Sequence, residues 1–163
     1  MGKLAERLAD ERRSGVYRVE VTEALEEAAG IVGLEIVRFP FRGVAASRLL
    51  ASCARAVSAS QMESWDELAA VLAEPACAPA PGRILLFAGF EDLVRRESSA
   101  LAPLIAALQS AAAQHRLEGR RFFAVFLDRT RTMALDPLYD RRRHSPMSVS
   151  TATATTTATE RDQ

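Results

Sequence analysis

Two cysteines, two histidines, one tryptophan and one lysine among 163 residues exclude several kinds of chemistry at once. Cys53 and Cys77 are too few for a disulfide framework. Cys53 sits in an apolar helical pattern and reads as a buried free thiol. Cys77 lies in a Pro/Ala loop. His115 and His144 are too far from the cysteines in sequence to assemble a metal set, so no metal is expected. No apolar run reaches 18 residues, which excludes a transmembrane helix and a membrane partner. The start, Met1-Gly2-Lys3-Leu4-Ala5-Glu6, has no apolar signal core, so a cytoplasmic protein is expected. There is no glycine-rich phosphate loop with its lysine, no dinucleotide fingerprint and no nucleophile elbow. An enzyme is therefore not expected, and neither is a cofactor. Net charge is zero, with 21 basic and 21 acidic residues, and no direct nucleic-acid contact follows from that balance.

The apolar share of 48% is enough for a soluble core. Residues 3–13 are charged with a few leucines and could form a short helix with a thin apolar face. Val16–Val21 alternates like a half-buried strand. Thr22 opens a short helix over Glu23–Ala29 that Gly30 ends. Leu34–Phe39 is a second strand, closed by Pro40. Ser47 caps a helix with Leu49, Leu50, Cys53, Ala54 and Val57 at helical spacing. Pro75–Gly82 cannot continue a helix. Arg83–Phe87 is nearly all apolar, the pattern of a strand buried on both faces. Phe90, Leu93 and Val94 mark a small helix. A longer one starts near Pro103, carries Leu101, Leu104, Ile105, Leu108 and Ala112 as its stripe, and stops at Gly119. Phe122–Leu127 is the last strand. Strands alternating with helices predict an α/β fold: a small parallel sheet of three to four strands covered by helices.

From residue 129 the composition shifts to arginine, serine and threonine, which predicts a disordered tail over 129–163. Residues 1–14 read as a charged leading segment and 15–128 as the domain. That domain with its leading segment carries 15 basic and 17 acidic residues, a net charge of −2.

Few side chains point to chemistry. His115 stands near the end of the long helix, where a cation suits the dipole. His144 falls in the tail. Glu91 and Asp92 follow a strand, where α/β enzymes keep carboxylates, but acids at a helix start have the same appearance. Arg141-Arg142-Arg143 reads as a solvated run. Phosphorylation of Ser145 or the threonine run could regulate the tail.

The segment from Ser64 to about Glu74 is richer. Ser64 with Glu67 three residues on fits a capping box, and Asp66 adds charge in the same turn. Glu63, Asp66, Glu67, Ala70 and Glu74 share one helical face, while Trp65, Leu68 and Leu72 share another. An acidic stripe on a helix is a surface that steers a basic partner, and it is also simply a solvated face.

Several segments together resemble the barstar family, inhibitors of barnase-type secreted ribonucleases found in bacteria. They are Leu34–Phe39, Leu49–Val57, Ser64-Trp65-Asp66-Glu67-Leu68-Ala69-Ala70-Val71-Leu72, Ile84–Phe87 and Leu104–Leu127. The order of elements matches as well, over residues 15–128. The resemblance implies a binding protein, monomeric when unbound, whose partner is a protein such as a basic secreted ribonuclease. It implies a contact surface on the second helix and the loop before it: Glu63, Trp65, Asp66, Glu67, Ala70 and Glu74, with Ser110 on the long helix. Asp66 stands at an acidic position of the family. Ala70 and Ser110 stand where the family carries further acids. The loop Ser58–Glu63 lacks the family's aromatics and glycine. These departures leave an alternative: a diverged scaffold or regulatory protein with another partner.

Overall fold

The computed structural model describes residues 2–57 and 61–139. Four strands form one sheet: β1 (Gly15–Val19), β2 (Glu35–Pro40), β3 (Arg83–Ala88) and β4 (Phe122–Leu127). All neighbours are parallel, in the order β1-β4-β3-β2. The helices are α1 (Lys3–Ala9), α2 (Glu23–Val32), α3 (Leu49–Val57), α4 (Trp65–Leu72), α5 (Glu91–Arg96) and α6 (Ala102–Leu117). The α/β fold with a parallel sheet expected from the alternation is the fold observed.

The strand pattern explains the layers. β4 is buried along its whole length, and the middle of β3 is buried too. A strand covered on both faces needs apolar side chains at successive positions, which Ile84–Phe87 and Phe122–Leu127 supply. One face carries Leu85, Phe87, Ala124 and Phe126 and is covered by α3–α6. The other carries Ile84, Leu86, Phe123 and Val125 and is covered by α1 and α2. The path from β2 through β3 to β4 steps one way across the sheet. The path from β1 to β2 crosses the opposite way. A constant crossover hand requires that reversal to switch faces, which puts α2 on the side away from α3–α6.

Phe39, Phe87 and Phe126 occupy one row across three strands. Phe87 stacks on Phe39 and on Phe126, with ring centroids 4.7 Å away in both cases. Phe41 stacks on the same ring at 5.6 Å, and Phe90 meets Phe126 edge-on. This row is the floor on which α3–α6 rest.

The first strand ends at Val19 rather than Val21, Pro40 belongs to β2, and Ser47 lies inside a 3-10 turn before α3 rather than capping it. Three further boundaries differ from expectation. Helix α2 runs through Gly30 and stops at Gly33, whose φ of +76° is the left-handed turn that ends a helix. The charged leading segment is part of the fold: α1 buries Leu4, Ala5 and Leu8 against α2 and the sheet. Three apolar residues on one turn and a half are enough when a ready-made groove receives them.

The expected tail also starts later than residue 129. Asp128 is fully buried, and its carboxylate accepts hydrogen bonds from Thr132 N, Thr132 Oγ1 and Met133 N at 2.8–3.0 Å. The chain then runs beside β1. Arg18 N donates to Asp136 O, Leu138 N donates to Arg18 O, and Leu138 is buried. Residues 129–139 are thereby stitched to the sheet edge by backbone bonds that composition does not reveal. The rest of the expected disordered tail, 140–163 with His144 and the arginine triplet, lies outside the described residues.

Candidate functional site

Helix α4 begins where its capping signals put it. Ser64 is extended, and its Oγ accepts a hydrogen bond from Glu67 N at 3.1 Å. The return bond is displaced by one residue: Glu67 Oε2 accepts from Glu63 N at 3.0 Å, not from Ser64 N. Glu67 is thus folded back over the helix start. Ser64→Ala removes the acceptor and is expected to cost about 1 kcal/mol in urea unfolding. Asp66→Asn, which keeps the shape and loses only a dipole interaction, should change stability by about 0.3–1 kcal/mol at low ionic strength.

The apolar side of α4 is a core element. Leu68 and Leu72 are buried, and Trp65 is half-buried against the same cluster. Trp65 therefore presents only part of its ring to a partner. On the other side Asp66, Glu67 and Ala70 are exposed. Asp66 makes no hydrogen bond or ion pair among the described residues.

The helix is shorter than its sequence pattern suggests. Glu63 precedes the cap, and Glu74 follows the last turn in extended backbone at φ −68°, ψ 146°. Both are exposed, but neither is helical, so the five-residue stripe reduces to Asp66, Glu67 and Ala70 on the helix with Glu63 beside its start. Pro75 is the physical reason, because it drives the residue before it out of the helical region. Ser110 is exposed on α6, and no recorded hydrogen bond or ion pair joins it to α4. Half of the loop that precedes the cap, residues 58–60, lies outside the described residues.

The carboxyl end of α4 is held by groups from other elements. The last carbonyls of a helix lack partners within it. Val71 O accepts from Glu74 N at 3.1 Å and from Cys77 Sγ at 3.2 Å. Leu72 O lies 2.7 Å from His115 Nε2. Arg120 Nη2 reaches Ala73 O at 3.5 Å, and Arg120 Nε donates to His115 Nδ1 at 2.9 Å. His115 is fully buried and stacks on Phe122 with centroids 4.7 Å apart. Burial lowers its pKa below the ordinary histidine value, the Leu72 hydrogen bond opposes that, Arg120 adds to it and Glu118 opposes it. The expectation of a cation at a helix end is thereby corrected: the ring is buried, its Nδ1 accepts from Arg120 and so carries no proton, and its partner is α4. The signal was present in the sequence, since His115 continues the Leu104, Leu108, Ala111 stripe at helical spacing.

Other candidates fall where their neighbours put them. Cys53 is buried and free, and burial pushes its thiol up to about 12. Cys77 is half-buried, which raises its thiol as well. Glu91 and Asp92 open the first turn of α5, and Asp92 pairs with Arg95. Two cavities, of about 200 and 280 Å³, lie on the α1–α2 side of the sheet, and neither is lined by Glu91 or Asp92. No group of three or more metal-ligating side chains occurs among the described residues. Among them no helix is long and apolar enough to cross a membrane.

Comparison with protein-family models, with curated proteins and with solved structures finds no match to this chain.

Proposed function

We propose that this protein is a binding module, not an enzyme, and that the amino-terminal half of α4 is its contact surface for a basic protein. Asp66 carries the reading. It is an exposed carboxylate without a partner among the described residues, at the start of a helix held at both ends. A charge on a fixed support loses little freedom on binding, so more of its attraction survives as affinity. Glu63, exposed beside it, adds to the field that would steer a basic partner. The resemblance of the Ser64–Leu72 segment to the barstar family supports a secreted ribonuclease as the partner, held inactive in the cytoplasm by the monomeric module.

A second reading has its own support. Glu67 is engaged with the Glu63 backbone, Glu74 lies off the helix, and Ala70 and Ser110 are uncharged. Asp66 is then the single unengaged acid on the helix, which fits a module that has diverged toward another partner or a regulatory role.

The experiment is a titration of small basic secreted ribonucleases with the purified full chain, read by calorimetry and by RNA cleavage. Inhibition at equimolar protein is expected, and Asp66→Lys should weaken binding at least tenfold while lowering stability by no more than about 1–2 kcal/mol, the cost of reversing a charge in the first turn. Absence of binding to every such ribonuclease removes the inhibitor reading. Binding of another partner that survives Asp66→Lys but vanishes when residues 140–163 are deleted supports the second. The deletion begins after Tyr139 because Leu138 is part of the core.

A further inference from the structure

We propose that His115 and Arg120 form a proton-sensitive latch that fixes the carboxyl end of α4 to α6. The hydrogen-bond pattern leaves one tautomer. A guanidinium nitrogen only donates, so Nδ1 of His115 accepts from Arg120 and the ring proton sits on Nε2, which donates to Leu72 O. Both ring nitrogens are thus used, and the bond from Arg120 requires the neutral ring, because Nδ1 accepts only while it is unprotonated. A second proton on Nδ1 abolishes the bond from Arg120 and sets two cations side by side at a fully buried position.

The surroundings offer little compensation. Arg120 and Glu118 are the charged groups that act on the ring, and they are ion-paired with each other. Glu118 is exposed, so its attraction is diluted by solvent. From α4 the ring meets the Leu72 carbonyl, and from β4 it meets the face of Phe122. Arg116, the next residue on α6, is turned away and donates to Ser14 O. The cheapest response to protonation is for Arg120 and the imidazole to separate. Ala73 O loses its donor where the guanidinium moves and Leu72 O loses its donor where the ring moves, and in either case the last turn of α4 loosens.

The direction with pH follows from linkage. An unfolded histidine takes its proton near pH 6.5, and this one takes it lower when folded. Between those values the unfolded chain binds more protons, so stability rises with pH there. The latch is fully closed above about pH 6.5 and opens as pH falls through the folded value. Its consequence for binding rests on the reading of α4 as the contact helix: a loosened helix presents Asp66 less rigidly, and affinity falls with acidification.

The test is nuclear magnetic resonance of the whole chain from pH 7.5 to 5, following the His115 ring and the backbone amides of Leu72, Ala73 and Glu74. Ring and amides should share one midpoint below about 6.5. As pH falls from about 6.5 to that midpoint, exchange protection of the Ala73 and Glu74 amides, corrected for intrinsic rates, should fall by up to about tenfold per pH unit and then level off. Arg120→Gln removes the neighbouring cation at a partly exposed position and should move the midpoint upward. His115→Gln should remove the transition. A His115 that titrates like a free histidine, or α4 amides that ignore its titration, overturns the latch. A shared midpoint in a protein whose Asp66→Lys variant binds its partner as well as wild type supports the latch and overturns only the contact-face reading.

Discussion

Phe87→Ala is expected to remove about 3–5 kcal/mol of stability. Phe87 is central to the row that joins three strands: its ring touches Phe39, Phe41 and Phe126. It is 1% exposed, so nothing can move in from solvent to fill the space. Each aromatic pair adds about 0.5–1.5 kcal/mol beyond the area it buries. Set against a stability of about 5–15 kcal/mol for an ordinary domain, the change leaves a marginal protein. Urea unfolding followed by circular dichroism reads the loss directly. A midpoint within error of wild type would mean that α3–α6 do not depend on this row.

Asp128→Ala is expected to cost about 1–3 kcal/mol, because it removes the buried acceptor of two backbone N–H groups and a hydroxyl at the exposed Thr132 and the partly buried Met133. The carboxylate is the only group holding Thr132 and Met133 to the end of β4 in the recorded bonds. Its loss should do more than lower the midpoint. Residues 130–138 should gain amide exchange at the bonds that join them to β1, most of all Leu138 N. Asp128→Asn discriminates the charge from the geometry: an amide retains one acceptor oxygen but turns a donor toward a backbone N–H. It should recover part of the stability and little of the protection. Unchanged exchange at Leu138 in either variant would show that the edge segment is held by Leu138 burial alone.

The two effects differ in how visible they are in the sequence. Phe87 belongs to a run of apolar residues that declares a buried strand, and its partners Phe39 and Phe126 close two other strand-like runs. Only their register was missing. Asp128 gives no warning. It follows the last strand as any turn aspartate does, and what makes it structural is a backbone loop that folds over it. The tail boundary differs for that reason: the arginine, serine and threonine content over 129–163 as a whole does not reveal that 129–139 is held locally by the Asp128 carboxylate and by bonds to β1, more than a hundred residues earlier.

The candidate site divides in the same way. The start of α4 was readable because capping is local: Ser64 and Glu67 sit within one turn and need nothing else. The displaced return bond to Glu63 N is a detail that spacing cannot distinguish. The end of α4 was not readable. Glu74 was counted on the acidic face by periodicity, yet the proline after it ends the helix two residues earlier. The groups that complete that end, His115 and Arg120, are 43 and 47 residues further along the chain.

Strand and helix identity, the parallel α/β class and the cap of α4 were already specified by local pattern, because periodicity and capping act over a few residues. The layering of helices on two faces, the packed segment after Asp128, the neutral buried His115 and the isolation of Asp66 as an unengaged acid were decided only by tertiary structure. Each depends on which distant donor or apolar surface reaches a given atom, and linear spacing carries no record of that.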